Sequence, residues 1–170
     1  MNYYHRLARL VSIAALMALV GVACAQPNQT PPTPAPAAPI DGNDNQSGER
    51  LDLSNQGLTK LPAYVLERTE LTELNLAYNQ LTGALPAEIR QLANLRVLNM
   101  SYNKMTGLPA EVGQLAELTE LDLSYNQFTG LPYELGNLKK LQRLVLTGNN
   151  YAEADLEVIL RGIPNVEVVR

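Results

Sequence analysis

From residue 51 onward, leucines alternate with other residues in short stretches that recur along the chain. Each stretch holds a leucine, one intervening residue and a second leucine or methionine, and successive stretches begin 23, 24, 23 and 23 residues apart. Residues two apart on a strand point to the same face, so each pair predicts a short strand with one buried face. One strand cannot bury that face alone, whereas strands stacked at a fixed interval form a parallel sheet over a continuous core. The pairs are Leu51/Leu53, Leu74/Leu76, Leu98/Met100, Leu121/Leu123 and Leu144/Leu146.

Other positions recur with the same step, and the one longer step comes from an extra residue, Ala84. A Leu-Pro dipeptide recurs in four copies and predicts the end of each turn on the strand side, since proline fixes φ and lacks an N–H donor. An amide recurs three residues after the second leucine, and we expect it to bond the backbone of its own turn and the next one. The amides are Gln56, Asn79, Asn103, Asn126 and Asn149.

Each set of positions that recurs with this step forms a column of the repeat. Together the columns resemble the leucine-rich-repeat family, of the form L-x-x-L-x-L-x-x-N-x-L-T-x-L-P-x-x-I-x-x-L. The clearest copies read "LTELNLAYNQLTGALPAEIRQL", "LRVLNMSYNKMTGLPAEVGQL" and "LTELDLSYNQFTGLPYELGNL". The resemblance covers about residues 49 to 170 and implies an α/β fold, a curved right-handed solenoid. Its concave side would be a parallel sheet of five or six strands, and its convex side short turns or 3₁₀ segments.

The last copy departs from the pattern and reads "YAEADLEVILRGIPNVEVV". We predict that Asp155 caps a helix there, and that Val166, 22 residues after Leu144, lies in one more strand. This resembles the helix and short strand that close many members of the family. The predicted helix places four aliphatic residues on one face, namely Leu156, Ile159, Leu160 and Ile163.

The chain before the repeats divides into two parts. Residues 1 to 23 contain two basic residues, Arg6 and Arg9, followed by an apolar run of 14 residues that ends at Ala23. A membrane-spanning helix needs about 20 apolar residues, so this run predicts a secretory signal peptide. Residues 24 to 48 hold six of the 11 prolines and a polar run, which predicts a disordered linker. The repeat domain is predicted at residues 49 to 170.

The single cysteine, Cys24, allows two processing routes. "VGVAC" resembles a bacterial lipoprotein box, in which the cysteine is lipidated and becomes the N-terminus, although Gly21 stands where leucine is common. Alternatively "ACA" is a small-x-small site cut after Ala25, which discards the cysteine and gives a secreted or periplasmic protein. A buried thiol is the least favoured interpretation. The Pro-rich spacer that follows favours the lipoprotein anchored at the cell membrane.

Composition limits the chemistry of the repeat domain. The chain has 17 acidic and 13 basic residues, a net charge of −4, and no basic run, which argues against nucleic acid as a partner. Its one histidine, His5, and its one cysteine, Cys24, both precede the repeats. Nucleophilic Cys-His or Ser-His schemes and most zinc sites are thereby excluded. We predict a protein that is not an enzyme and has no cofactor or metal.

Family members commonly bind partners on the concave sheet, so its outward residues are the candidate site. A file of tyrosines, on strands about 4.8 Å apart, offers amphipathic rings for recognition, unless each ring only covers its neighbour's edge. The residues just after each pair, such as Ala77 and Ser101, are also counted as outward. An oxygen-ligated Ca²⁺ site and a Glu120/Asp122 catalytic pair are weaker alternatives. The predicted binding residues are Glu73, Asn75, Tyr78, Val97, Asn99, Tyr102, Glu120, Asp122, Tyr125 and Arg143.

The predicted sheet is small. Five or six strands of about five residues cover roughly 400 Å², half of the roughly 800 Å² that one partner contributes to a standard interface. We therefore predict a monomeric, non-enzymatic module that binds a short peptide or loop at the cell envelope. The alternative is a structural or spacer protein of the envelope without a dedicated ligand.

Overall fold

The computed structural model describes residues 48–170. The predicted signal peptide, Cys24 and all of the predicted linker except Gly48 lie outside the described residues. Between residues 48 and 170, no helix is long and apolar enough to cross a membrane.

Within residues 48–170, six strands form one parallel sheet, in which each strand pairs with its neighbours along the repeat order. Leu74 lies opposite Leu51 and Leu98, so the leucine columns are in register across the sheet. The predicted parallel sheet of five or six strands is confirmed. Its strands are β1 (Glu49–Asp52), β2 (Leu71–Asn75), β4 (Val97–Asn99), β6 (Glu120–Asp122), β7 (Arg143–Val145) and β8 (Glu167–Val169).

Two shorter strands, β3 (Thr82–Gly83) and β5 (Lys104–Met105), form a second parallel pair. They follow the buried asparagines of two consecutive coils and precede the Leu-Pro turns. The extra residue Ala84 comes directly after β3, whose Gly83 has a positive φ of 73°. The repeat pattern did not predict this pair, because two residues carry no periodic signal.

Each Leu-Pro dipeptide leads into a short helical return segment on the convex side. Proline stands at the N-cap with φ between −64° and −71°, which its ring favours. The segments are packed closely: a Cβ on Gly113 would lie 2.3 Å from the carbonyl oxygen of Glu134. The four return segments that follow Leu-Pro dipeptides between residues 48 and 170 are helix α1 (Ala63–Leu66) and the 3₁₀ segments Ala87–Gln91, Ala110–Gln114 and Tyr133–Asn137.

The buried asparagines connect each coil to the one before it, and the expectation that they bond the next coil is wrong. Asn103 Nδ2 donates to the carbonyl oxygens of Met100 and Ser101 in its own turn and of Leu76 one coil earlier. Its Oδ1 accepts from the backbone N–H of Leu81, also one coil earlier. In the first coil of the described residues the same position holds the exposed Gln56.

The core lies between the main sheet and the return segments. It consists almost wholly of leucine, isoleucine, valine and methionine, with the fully buried Phe128 in the fourth coil. Among residues 48–170, every buried side-chain nitrogen or oxygen has a hydrogen-bond partner. The described interior therefore holds no unpaired polar side-chain atom.

Helix α2 (Glu153–Gly162) and strand β8 close the C-terminal end, as predicted. The apolar face is confirmed, with Leu156 and Ile159 fully buried. Asp155 is not the cap: Ala152 is, and the N–H of Asp155 already donates to the Ala152 carbonyl inside the first turn. The Asp155 carboxylate instead accepts from the backbone N–H of Leu131 at 3.2 Å.

The register of β8 also differs from the prediction. Val168, not Val166, lies opposite Leu144. The N–H of Val166 donates to the Ile163 carbonyl and closes a turn after the helix, so the strand starts at Glu167. Helix length, which no repeat period determines, sets this register.

Candidate functional site

The predicted outward residues lie together in two files across the main sheet. In the first file Glu73, Val97, Glu120 and Arg143 are opposite one another on successive strands. The second file, Asn75, Asn99 and Asp122, is paired in the same way. All seven side chains are half-buried or exposed. The structure therefore places these seven predicted residues on one face.

Ion pairs neutralise the glutamates of the first file. Arg50 Nε lies 2.8 Å from Glu73 Oε2, and Arg143 Nη1 lies 2.9 Å from Glu120 Oε1. Each arginine and its glutamate occupy neighbouring strands, so the pairs follow from the register. Such exposed pairs contribute little to stability, about 0 to 1 kcal/mol. Their main effect is to neutralise the two glutamates and to leave Val97 between two neutralised positions.

Side chains of the second file close the turn at the end of each strand. The Oδ1 atom of Asn99 accepts from the N–H of Ser101 at 2.9 Å, and that of Asp122 from the N–H of Ser124 at 2.9 Å. Asp52 makes the same bond to Ser54, and this backbone N–H is the main cause that lowers the pKa of Asp52. One oxygen of each side chain is thus used by its own turn.

The turn carries the following residue inward, which corrects one prediction. Ala77, Ser101 and Ser124 were expected to face outward, but they are only 3% to 5% exposed. The strand has ended before them, so the alternation of faces no longer applies. Between residues 48 and 170, no three His, Cys, Asp or Glu side chains are grouped to hold a metal.

The residue before each repeated amide adopts a left-handed backbone conformation. Tyr78, Tyr102 and Tyr125 have φ of 57°, 54° and 51°, and Asn55 and Gly148 at the two ends of the column have 55° and 72°. Glycine and asparagine tolerate this region, whereas it costs other residues about 1 to 2 kcal/mol. This strain was not predicted from the sequence, although Asn55 and Gly148 at the same repeat position were a signal for it.

The three tyrosines form a continuous tyrosine stack beside the sheet. The ring centroids of Tyr78 and Tyr102 are 4.4 Å apart with 9° between planes, and those of Tyr102 and Tyr125 are 4.3 Å apart with 18°. Their exposed fractions are 57%, 41% and 47% along the stack. Stacked pairs contribute about 0.5 to 1.5 kcal/mol each, which offsets part of the backbone strain.

The far end of the stack is held by backbone. A Cβ on Gly148 would lie 2.8 Å from Tyr125 Cδ1, so the glycine lets this ring lie against the last coil. The middle ring is enclosed by the other two, and this desolvation is the main cause that raises the pKa of Tyr102, followed by the nearby Tyr125 hydroxyl. The Tyr102 hydroxyl at the centre of the stack therefore stays protonated at neutral pH.

Comparison with known proteins agrees with this geometry. One family model, described as leucine rich repeat, matches residues 49–105, and a second, described as two copies of leucine rich repeats, matches residues 116–160. No curated protein matches the sequence closely enough to count as a relative.

Several solved structures share the fold. A leucine-rich-repeat protein of Leptospira interrogans is 44% identical with a TM-score of 0.62, over 66% of this chain and 28% of that one. An internalin of Listeria monocytogenes is 26% identical with a TM-score of 0.57, over 65% of this chain and 31% of that one. The ectodomain of the Arabidopsis thaliana receptor kinase GASSHO1/SCHENGEN3 is 30% identical with a TM-score of 0.56, over 65% and 13%.

This chain therefore spans less than a third of the length of each of these three proteins. The family models and the fold point to the same conclusion. The chain belongs to the leucine-rich-repeat family, with a solenoid of a six-stranded parallel sheet, helical return turns and a C-terminal helix and strand.

Proposed function

We propose that this solenoid binds a short extended peptide, or an exposed loop of a protein, across the concave sheet beside the tyrosine stack. The observation that carries the proposal is the stack itself, three aligned rings that are 41% to 57% exposed. Tyrosine gives large amphipathic contact area at a low cost in side-chain entropy, which is why it dominates protein-binding surfaces.

The backbone that carries the stack is held in place before any ligand arrives. Each tyrosine follows a turn closed by Asn75, Asn99 or Asp122, and precedes an asparagine anchored to the coil before it. The positions of the three tyrosines are therefore set in the free protein. A ligand that meets an ordered surface loses less conformational entropy on binding, so even a small contact area gives useful affinity.

The sheet next to the stack supplies a mixed surface for the remainder of the ligand. Val97, half-buried at the centre of the first file, offers an apolar contact, and the ion-paired Glu73 and Glu120 flank it. Asn99 uses Oδ1 for its turn, and within residues 48–170 its Nδ2 donates to no other group, so it suits a backbone carbonyl of the ligand. These features favour an uncharged or mildly cationic segment over an acidic one.

The comparisons support binding as the general role. Leucine-rich-repeat domains generally mediate protein binding, and the Arabidopsis ectodomain was solved in complex with CASPARIAN STRIP INTEGRITY FACTOR 2. The relevant face here covers only about 400 Å². We therefore propose a ligand of a few residues and modest affinity.

The proposed test selects ligands from a random peptide display library on the full chain. The decisive variant replaces Tyr78, Tyr102 and Tyr125 together with Asn, the residue found at position 55 of the same column. Because asparagine tolerates positive φ, this variant keeps its fold while it loses the rings. Loss of two or more hot-spot contacts predicts at least a tenfold weaker Kd for the selected peptides.

The matched control carries Tyr64→Asn and Tyr133→Asn, two exposed rings at the return segments. Peptides that bind the control as tightly as the original chain, but not the stack variant, support the proposal. Equal binding to all three proteins contradicts it. A library that yields no ligand contradicts it as well and favours the spacer protein without a ligand.

We also propose that the domain works outside the cytoplasm, anchored through a lipid on Cys24. The proposal rests on the sequence alone, from the apolar run of residues 10 to 23 and the Pro-rich residues that follow. Mass spectrometry of the mature N-terminus tests it. A lipidated Cys24 at the N-terminus supports the anchor, and an N-terminus at Gln26 shows cleavage after Ala25 and secretion.

A further inference from the structure

We propose that the tyrosine stack is a site of oxidative cross-linking, at which Tyr78 and Tyr102 couple to form an intramolecular dityrosine bridge between neighbouring coils. The reaction requires no ligand and is independent of the peptide-binding proposal. It makes the stack a modification site as well as a surface.

The geometry brings two phenols into contact. The rings of Tyr78 and Tyr102 are 4.4 Å apart and within 9° of parallel, so phenoxyl radicals formed on them meet face to face without diffusion. In the joined product the rings lie edge to edge. Coupling therefore needs rotation of both rings about their side-chain torsions and a local opening of the two turns that carry them.

The oxidant is hydrogen peroxide, acting with a peroxidase. Each phenol gives up one electron and one proton and becomes a phenoxyl radical. The two radicals form one bond between ring carbons ortho to the hydroxyls, and the proton on each of those carbons moves to a phenolic oxygen. One peroxide accepts the two electrons and two protons and becomes two water molecules.

Proximity determines which tyrosines react with each other. Radicals on separate molecules must first meet by diffusion, whereas two rings held in contact have a very high effective concentration. Tyr78 and Tyr125 are not neighbours, because Tyr102 lies between them. Every coupling within the stack must therefore include Tyr102.

The open end of the stack is the more reactive one. Tyr125 is held against Gly148, which limits the rotation that turns a stacked pair into a joined pair. Tyr78, the most exposed ring of the stack at 57%, has more room to rotate. This asymmetry selects the Tyr78–Tyr102 pair over the Tyr102–Tyr125 pair.

The test treats the dilute full chain with peroxide and peroxidase and maps the products by tandem mass spectrometry. The expected product is a monomer on a denaturing gel, lighter by two hydrogen atoms, with dityrosine fluorescence and a cross-link between the peptides that contain Tyr78 and Tyr102. The unfolding temperature of this product is expected to be several degrees higher than that of the untreated chain, since the bridge closes a loop in the unfolded chain.

Phenylalanine variants keep the ring and the stack but cannot form a phenoxyl radical. Tyr102→Phe is expected to abolish the intramolecular product, Tyr78→Phe to remove most of it, and Tyr125→Phe to leave it unchanged. Unfolding curves confirm that each variant is folded. Products that join separate molecules, or that use the exposed Tyr64 and Tyr133 equally, would overturn the proposal, as would an undiminished yield from Tyr102→Phe.

Discussion

The side-chain amide of Asn103 donates to the carbonyl oxygen of Leu76, 2.9 Å away and one coil earlier. Together with the bond from the Leu81 N–H to Asn103 Oδ1, it attaches two coils through a single buried side chain. The same arrangement recurs at Asn79 and Asn126. Each asparagine thus satisfies backbone groups that the main sheet leaves free at the ends of its strands.

Replacement of Asn103 with alanine is expected to lower the free energy of unfolding by about 2 kcal/mol. The change leaves the buried Leu81 N–H without a partner, and such a group costs about 1 to 3 kcal/mol. The Leu76 carbonyl loses one of its two side-chain donors and keeps the bond from Asn79 Nδ2. Urea unfolding followed by circular dichroism measures it. Gln56→Ala in the first coil is the control and should stay within about 0.5 kcal/mol. Equal losses in both variants would disprove the role of the column.

Close packing of the return segments gives a second prediction. Gly113→Ala places a Cβ 2.3 Å from the Glu134 carbonyl oxygen, so the coils must separate, at a cost of about 2 kcal/mol or more. Gly107 belongs to the same coil, and its nearest obstacle is Ala84 Cβ at 3.9 Å. Gly107→Ala should therefore be nearly neutral. Thermal unfolding of both variants decides the matter, and similar midpoints would refute the packing argument.

The stack should appear as an energetic coupling between neighbouring rings. A double-mutant cycle of Tyr78→Ala and Tyr102→Ala is expected to give a coupling energy of about 0.5 to 1.5 kcal/mol. Alanine retains a Cβ and hence most of the backbone strain, so the cycle reports mainly on the rings. The control cycle pairs Tyr78 with Tyr125, which do not touch, and should give less than about 0.5 kcal/mol. A control coupling as large as the first would contradict direct stacking.

Acidification should weaken the contribution of Asp52. Its pKa is lowered in the folded state, mainly by the Ser54 N–H, so its stabilising effect is complete above the unfolded pKa of about 4 and is lost as pH falls through the folded pKa. Asp52→Asn keeps an oxygen for the Ser54 bond but does not titrate. At pH values below about 4, we expect the free energy of unfolding of the original chain to decrease relative to that of this variant. Urea unfolding measures the difference.

Salt distinguishes the cause of that effect. The Arg50 charge is the smallest contribution to the lowered pKa of Asp52, and salt screens exposed charges. The pH dependence should therefore persist in high salt. Its disappearance there would assign the effect to Arg50 rather than to the Ser54 hydrogen bond.

Much of the fold follows from periods in the sequence. The spacing of leucine pairs predicted the main sheet and its register, and the resemblance to the repeat family implied the 3₁₀ segments of the convex side. The apolar face of α2 was also predicted, because Leu156 and Ile159 recur at helical spacing. These predictions rest on patterns that repeat, and each repeat reinforces the others.

Errors occurred where the chain leaves the period. Asp155 was taken as a cap because its side chain suits one, but the helix begins two residues earlier and the carboxylate bonds the Leu-Pro turn of the preceding coil. Val166 was placed in β8 by counting, yet the turn after the helix shifts the strand. In both cases contacts with a neighbouring coil outweighed local preference.

For the candidate site, the sequence by itself determined which residues share the concave face, since register and alternation assign them without coordinates. Only the tertiary structure decided what those residues do there. It paired Glu73 and Glu120 with arginines, turned Ala77 and Ser101 inward, and brought three strained tyrosines into ring contact. The reason is physical: a repeat period encodes direction along one strand, whereas ion pairs, turn closure and stacking depend on distances between coils that form only when the solenoid folds.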